Sequence, residues 1–135
     1  MRVALVSCVK TKKEGVHPAR DLYASPLFRF AFDYASKHSD QVYILSAKYG
    51  LVEATQRIKS YELTLRSMPA AMRREWAEKV AEELRQLVPP KSTLLFFCGE
   101  DYRRDLLGLL SEFEQRIPLQ DLSFGRQLQW YKRHQ

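Results

Sequence analysis

The stretch VYILSAKYGL, residues 42–51, passes from a branched, apolar run into a polar turn that ends in a glycine. The apolar part, Val42 to Leu45, is typical of a strand buried in a parallel sheet. The turn after it carries Lys48, Tyr49 and Gly50, so a cation and an aromatic ring stand at the strand end. In parallel sheets ligands bind beyond the carboxyl ends of the strands, and this stretch therefore predicts both a fold and a site.

Two further apolar runs end in the same manner. Leu5 and Val6 lead into Ser7, Cys8 and, two residues later, Lys10. The run from Leu94 to Phe97 leads into Cys98, Gly99 and Glu100. Three strand-like runs thus end in small, polar or reactive residues, which points to one functional edge of the sheet.

The apolar period alternates between that of a strand and that of a helix along the chain. Strands are predicted at Val3 to Cys8, Gln41 to Ser46 and Ser92 to Cys98, with Ile117 to Leu119 as a candidate edge strand. Helices are predicted from Ser25-Pro26, from a cap at Ser67, after Gly99 and from about Phe124. The order predicts an α/β fold: a single domain over residues 1–135, with three layers and a small, mostly parallel sheet of three to four strands flanked by helices.

Two other expectations concern the middle of the chain. The segment from Ala47 to Arg66 shows neither period and is predicted to be an extended loop, long enough to have a function. In the helix after Ser67, apolar residues at three- and four-residue intervals predict one buried stripe. Its members are Met72, Trp76, Val80, Leu84 and Leu87.

Composition limits the class of protein. The chain has 135 residues and 45% hydrophobic content, enough for one domain with its own core, and no apolar run reaches the roughly 20 residues that span a bilayer. We expect no membrane partner and a cytoplasmic location. In that compartment Cys8 and Cys98 are expected to be buried thiols, with a redox or nucleophilic role as the alternative. The histidines share no ligand spacing, so neither a metal nor another cofactor is expected.

The net charge of +6 favours polyanionic partners. Cations gather at Lys10, Lys12 and Lys13 and again at Lys132 and Arg133, outside the predicted core elements. These clusters are interpreted either as contacts to nucleic acid or nucleotide phosphate, or as a solvated face.

The strand ends supply the candidate ligand groups. The Ser7 hydroxyl and the Lys10 ammonium suit a phosphate, although the turn has neither the Walker glycine pattern nor a dinucleotide fingerprint. Lys48 suits a phosphate and Tyr49 a stacked base, or Tyr49 simply covers the end of the sheet. In the following loop, Glu62 is the candidate general base or ribose ligand, although an exposed loop glutamate is also ordinary.

The motifs also resemble known families. Residues 44–51 and 58–63 are similar to the I-L-S-x-x-Y-G-L and I-x-P-Y-x-L motifs of the peroxide-stress protein YaaA family, and Ser7, Lys10 and Thr11 resemble its S-x-x-K-T. A closer resemblance is to small uncharacterised proteins with S-C-x-x-K, D-L-Y-x-S-x-x-F, L-S-A-K-Y-G-L and G-x-Q-L-x-W motifs. The chain also looks distantly similar to an archaeosine synthase domain that is placed among uracil-DNA glycosylase-like folds. The resemblance to YaaA implies DNA binding and a role in oxidative stress.

The leading hypothesis is an enzyme, a hydrolase or glycosidase, that acts on a nucleotide or nucleic-acid base and cleaves or exchanges an N-glycosidic bond. Its expected catalytic residues are Glu62, Asp21 and Lys48. The expected substrate-binding residues lie at the strand ends and in the loop: Ser7, Cys8, Lys10, Ser46, Tyr49, Gly50, Tyr61, Gly99 and Glu100.

The alternative is a non-catalytic DNA- or RNA-binding protein. In that hypothesis the cations form one basic surface and an aromatic ring stacks on single-stranded bases. The residues concerned are Lys12, Lys13, Trp130, Lys132 and Arg133. Trp130 is equally suited to closing the core, and the sequence leaves the oligomeric state open.

Overall fold

The computed structural model describes residues 1–9 and 12–135. Within these residues the chain folds into a three-layer α/β domain with one five-stranded sheet, one two-stranded sheet and helices on both faces of the larger sheet. The strands are β1 (Arg2–Ser7), β2 (Val16–Pro18), β3 (Gln41–Ser46), β4 (Gly50–Glu53), β5 (Arg57–Lys59), β6 (Thr93–Phe97) and β7 (Glu114–Arg116). The helices are α1 (Ala19–Leu22), α2 (Pro26–His38), α3 (Ala70–Leu87), α4 (Glu100–Leu109) and α5 (Phe124–Arg133), with a 3₁₀ turn at Leu65–Ser67.

The larger sheet has the order β4-β3-β1-β6-β7, with β1 at its centre. Strands β3, β1, β6 and β7 run parallel to one another, and only β4 is antiparallel to its neighbour in the described sheet. The predicted α/β class and the mostly parallel sheet flanked by helices are confirmed. The sheet has one strand more than the upper number expected, because the chain folds straight back after β3 to form β4.

Alternating residues of β1 divide the core between the two faces of the sheet. Val3 and Leu5 pack against α3 and α4, whereas Ala4, Val6 and Cys8 face the layer that contains α2 and α5. All five of these side chains are buried. Period-two alternation with both faces covered explains why residues 3–6 of the strand are all apolar.

Helix α2 begins as the sequence predicts. Ser25 is its N-cap, with the hydroxyl accepting a weak hydrogen bond of 3.5 Å from the amide of Phe28, and Pro26 occupies the first helical position. Helix α3, in contrast, does not begin at Ser67. The Ser67 hydroxyl instead donates to the carbonyl of Thr64 at 2.9 Å within the 3₁₀ turn, and Pro69 precedes the helix.

The predicted stripe of α3 is wrong at its two ends. Met72 and Leu87 are 51% and 53% exposed, while the buried residues of the helix are Ala77, Val80, Ala81 and Leu84. A helix of 18 residues is about 27 Å long, whereas a strand of six residues spans about 20 Å, so the ends of α3 extend past the sheet.

The segment from Ala47 to Arg66 is more ordered than predicted. It contains β4, which pairs with β3, and β5, which pairs antiparallel with β2 through Val16 opposite Lys59. Gly50 has φ +73°, a conformation that favours glycine and lets the chain reverse within a short turn. The predicted edge strand at Ile117–Leu119 instead lies at Glu114–Arg116, where it pairs with β6. None of the helices in the described part of the chain is long and apolar enough to cross a bilayer.

Candidate functional site

The parallel pairing of β1 with β3 brings two of the predicted strand ends together. Ser7 stands opposite Leu45 in the register, and the amide of Cys8 donates to the carbonyl of Leu45 at 2.9 Å. Ser7 and Cys8 therefore lie at the same edge of the sheet as Ser46 and Lys48, which continue from β3. Lys10, the predicted partner of Ser7, lies outside the described residues.

A buried hydroxyl network stands at this edge. The Ser46 hydroxyl donates to the Tyr61 hydroxyl at 2.8 Å, and the Tyr61 and Tyr23 hydroxyls are also 2.8 Å apart. The Ser46 hydroxyl accepts from the amide of Tyr49 at 3.0 Å, and the Ser46 carbonyl accepts from the indole nitrogen of Trp76 at 2.8 Å. Ser46 is fully buried and Tyr61 nearly so, and both remain predicted substrate-binding residues.

The two tyrosines of the network are held as neutral phenols. Burial raises the pKa of both Tyr23 and Tyr61 well above the ordinary value, and the nearby Cys8 acts in the same direction. Uncharged hydroxyls at this position donate and accept hydrogen bonds at any physiological pH.

Lys12 packs against the network. Its ammonium nitrogen lies 4.3 Å from the centre of the Tyr61 ring and 5.8 Å from that of Tyr23, both within the range of a cation–π contact. Burial lowers the pKa of Lys12, while Cys8 and Glu62 partly oppose that effect. The sequence suggested Lys12 as part of an exposed basic surface, but the structure places its amine beside tyrosine rings and close to a carboxylate.

Cys8 is buried, as expected, and its sulfur lies 2.9 Å from the hydroxyl of Tyr102. Tyr102 lies in α4 and was not among the predicted site residues. Its position in the first turn after Gly99 was the one available signal that it stands at the carboxyl edge of the sheet. Cys98 is half-buried, and burial raises the pKa of its thiol to about 12, so it is a neutral thiol near pH 7.

Ala47, Lys48 and Tyr49 form the turn between β3 and β4, and Gly50 begins β4. Lys48 is exposed, with its ammonium nitrogen 5.4 Å from the centre of the Tyr49 ring. The Tyr49 ring meets the Tyr61 ring edge-on at a centroid distance of 5.6 Å, and its hydroxyl donates to the carbonyl of Lys59 at 3.3 Å. Tyr49 thus covers the network and is half-buried, while Lys48 is available to a ligand.

The two candidate carboxylates occupy different places. Glu62 is exposed and follows Tyr61 directly, close enough to Lys12 to raise the pKa of its ammonium group. Asp21 lies on α1, with its carboxylate 4.0 Å from the guanidinium of Arg20. The structure therefore associates Glu62 with the hydroxyl network and Asp21 with a separate cleft on α1.

A second cleft opens where β1 and β6 end. It has a volume of about 250 Å³ and includes the predicted Ser7 and Gly99 among its walls. Its aromatic walls, which the sequence analysis did not assign to a site, are Phe28, Phe97, Phe124 and Tyr131. Phe124 is 64% exposed at the start of α5.

Gln127 supplies an amide to the same cleft. Its side-chain nitrogen donates to the carbonyl of Leu122 at 2.9 Å, which fixes the orientation of the amide. The G-x-Q-L-x-W motif contained this residue, but gave no role for it. Gly99 is the N-cap of α4. Glu100, in the first turn of that helix, is exposed, and its carboxylate forms an ion pair with the Arg104 guanidinium at 3.7 Å.

The basic residues at the end of the chain stand apart from Lys12 and Lys13. Trp130 is half-buried and stacks on His134 at 3.9 Å with an angle of 15° between the rings. Lys132 and Arg133 are exposed in the last turn of α5. His134 shares a cleft with Lys37 at the end of α2, whereas Lys13 shares one with Ser25 at the start of that helix, about 20 Å away along its axis.

In the described residues no three His, Cys, Asp or Glu side chains gather so as to hold a metal ion.

No curated protein matches the chain. A family model described as a family of unknown function (DUF6884) matches residues 3–133. Since that match covers nearly the whole sequence, the chain belongs to this family.

Proposed function

We propose that this protein is an enzyme that acts on a nucleotide or nucleobase and cleaves or exchanges an N-glycosidic bond. One observation carries the proposal: an aromatic cleft and a set of acid–base groups adjoin each other at one edge of the parallel sheet. Ser7 lines the cleft, and the side chain of the next residue, Cys8, interacts with Tyr61 of the hydroxyl network. Phe28 lines the cleft and its ring lies 5.1 Å from that of Tyr23.

The cleft suits a planar heteroaromatic ring. Its volume of about 250 Å³ lies below the range of roughly 300–1,000 Å³ that drug-sized ligands occupy. Phenyl rings supply stacking surfaces, and Phe124 is exposed at its wall. The Gln127 amide and the Ser7 hydroxyl supply the few polar groups that distinguish the edge of a base.

The acid–base groups suit hydrolysis at an anomeric carbon. In the proposed reaction the Glu62 carboxylate takes a proton from water as the water oxygen bonds to C1′ of the sugar. The C1′–N bond breaks with its electron pair going to the base, and the Lys12 ammonium, whose pKa is lowered by burial, supplies the proton that neutralises the leaving base. Lys48 is exposed at the same edge and stabilises negative charge on the substrate.

Two measurements test the enzyme. Free bases, nucleosides and nucleotides are screened for thermal stabilisation, and turnover is followed by release of the base. We expect a binding ligand at a hundred times its dissociation constant to add about 2.7 kcal/mol of stability. Glu62→Gln is expected to keep that binding and to lose turnover by about 10²–10⁴-fold. Glu78→Gln, which changes an exposed glutamate of α3, is the matched control. Absence of turnover with every compound in the wild-type protein contradicts the proposal.

A non-catalytic DNA- or RNA-binding protein is the second candidate. A cleft of about 370 Å³ on α5 supports it, because Trp130 lies there between the cations Arg126 and Arg133. Affinity for an oligonucleotide that falls steeply with salt, without any turnover, favours this candidate. The resemblance of the motifs to the YaaA family supports a nucleic-acid partner. For both candidate functions we propose a cytoplasmic location.

A further inference from the structure

A basic cleft of about 370 Å³ has Tyr23, a member of the hydroxyl network, among its walls. Its charged walls are Lys13, Arg20, Asp21 and Arg29. Among the described residues that line it, three cations face one carboxylate, which leaves two positive charges uncompensated. Asp21 is 4.0 Å from Arg20, and both side chains are about half exposed, so this pair contributes little to holding either charge.

Backbone pairing fixes the position of Lys13. Lys12 forms an isolated antiparallel bridge with Tyr23, and the amide of Lys13 donates to the carbonyl of Leu22 at 2.8 Å. Successive side chains of an extended segment point to opposite sides. The bridge therefore directs Lys12 to the ring of Tyr61 and Lys13 to the basic cleft.

The other two cations are also carried by anchored backbone. The amide of Arg20 donates to the carbonyl of Ala54 at 3.0 Å, which ties α1 to the turn after β4. The amide of Arg29 donates to the carbonyl of Ser25 at 3.0 Å in the first turn of α2. That helix of 13 residues begins in the wall of the cleft with Ser25 and Pro26, and its first turn carries no acidic residue. Its positive end adds to the field of the three side chains.

We propose that this cleft binds a phosphate group of the substrate. The inference rests on the proposed function, because that phosphate belongs to a nucleotide or to a strand of nucleic acid. Guanidinium groups match phosphate in charge and in hydrogen-bond geometry, and two of them meet here with one ammonium group. Tyr23 lines this cleft, contacts the Lys12 ammonium group through its ring and shares a hydrogen bond with Tyr61, so the phosphate lies next to the proposed reaction site.

The experiment compares three ligands: inorganic phosphate, a set of nucleoside monophosphates and a short single-stranded oligonucleotide. Binding of each to the wild-type protein and to Arg29→Gln and Lys13→Gln is measured by calorimetry, with Arg74→Gln, an exposed arginine of α3, as the control. We expect each cleft variant to lower the affinity for phosphate-bearing ligands by about tenfold, and the control to leave that affinity unchanged. For the oligonucleotide, the slope of log affinity against log salt is expected to fall by about one for each cation lost.

Comparison of the three ligands identifies the source of the phosphate. Binding of monophosphates that depends on Arg29 indicates the substrate's own terminal phosphate, whereas dependence seen with the oligonucleotide alone indicates a backbone phosphate. The inference is overturned if both cleft variants bind all three ligands as the wild type does, or if Arg74→Gln weakens them equally. Binding and turnover of free nucleosides, which carry no phosphate, test the proposed function separately.

Discussion

The ammonium nitrogen of Lys12 lies 4.3 Å from the centre of the Tyr61 ring, although 49 positions separate the two residues in the sequence. Strands β1 and β3, which run parallel, end at this point, and Cys8 and Ser46 belong to the same group. The contact links the segment after β1 to the segment after β5. It makes an amine, a carboxylate and three hydroxyls neighbours at a sheet edge where the two chain segments meet.

The pKa of Lys12 is the first testable consequence. Burial lowers it from the ordinary value of 10.5, and the Glu62 carboxylate partly restores it. We expect Glu62→Gln to lower the pKa of Lys12 further, because the variant removes a negative charge that favours the protonated amine. NMR titration of ¹³C-methylated lysines measures this value, with Lys12→Arg to assign the signal. Glu78→Gln is expected to leave it unchanged, and an unchanged or higher pKa in Glu62→Gln contradicts the arrangement.

The hydroxyl network predicts a loss of stability in Tyr61→Phe. The variant keeps the ring under Lys12 but removes the oxygen that accepts from Ser46 and pairs with Tyr23. Two buried hydroxyls lose a partner, so the free energy of unfolding is expected to fall by about 1–3 kcal/mol. Urea denaturation measures it. Tyr49→Phe removes a longer, exposed hydrogen bond to Lys59 and is expected to cost less than about 1 kcal/mol. Equal losses in the two variants rule out the network as a stabilising unit.

Glu83 on α3 predicts a pH dependence of stability. Its Oε1 atom is buried and has no hydrogen-bond partner among the described residues. This oxygen lies close to Gly50, since the Cβ atom of any other residue at that position would be 3.1 Å from it. Burial raises the pKa of Glu83, with Lys79 and a hydrogen bond from the backbone of Leu51 acting against that effect. The folded protein therefore holds this proton more tightly than the unfolded chain does, and stability falls as the pH rises through the window between the ordinary and the raised pKa.

Glu83→Gln is expected to be more stable than the wild type at pH 7, because glutamine places no charge at this position. The difference in free energy of unfolding is expected to be smaller at pH 4, where the wild-type carboxyl is mostly protonated in both states. Denaturation curves at the two pH values measure it, and Glu78→Gln is the exposed control. A difference that grows as the pH falls contradicts this account of Glu83.

Local signals were sufficient for the main elements of the fold. The branched run of β3, the Ser25-Pro26 start of α2 and the alternation of strand and helix periods depend on residues close in sequence, and the structure has all three. Strand β5 was missed because its partner β2 lies about 40 residues earlier and each has only three residues. Such a pair has no periodicity of its own, and tertiary contacts alone stabilise it.

The candidate site divides in the same way. Ser7, Ser46 and Lys48 could be placed at one edge of the sheet from sequence, since parallel strands end on the same side. The burial of Ser46 and the packing of Lys12 on Tyr61 could not, because they depend on how two loops cross above that edge. The basic cleft is a further case: Lys13, Arg20 and Arg29 occur as scattered cations in the sequence, and only the folded chain brings them to one cavity.

By itself, the sequence determined that this chain forms an α/β sheet with its polar groups at the strand ends, because helix and strand periods are local and parallel strands share a direction. The tertiary structure alone decided which of those groups are buried supports and which are free to meet a ligand. Burial and charge proximity are set by segments far apart in the chain, and no local pattern encodes the distance between them.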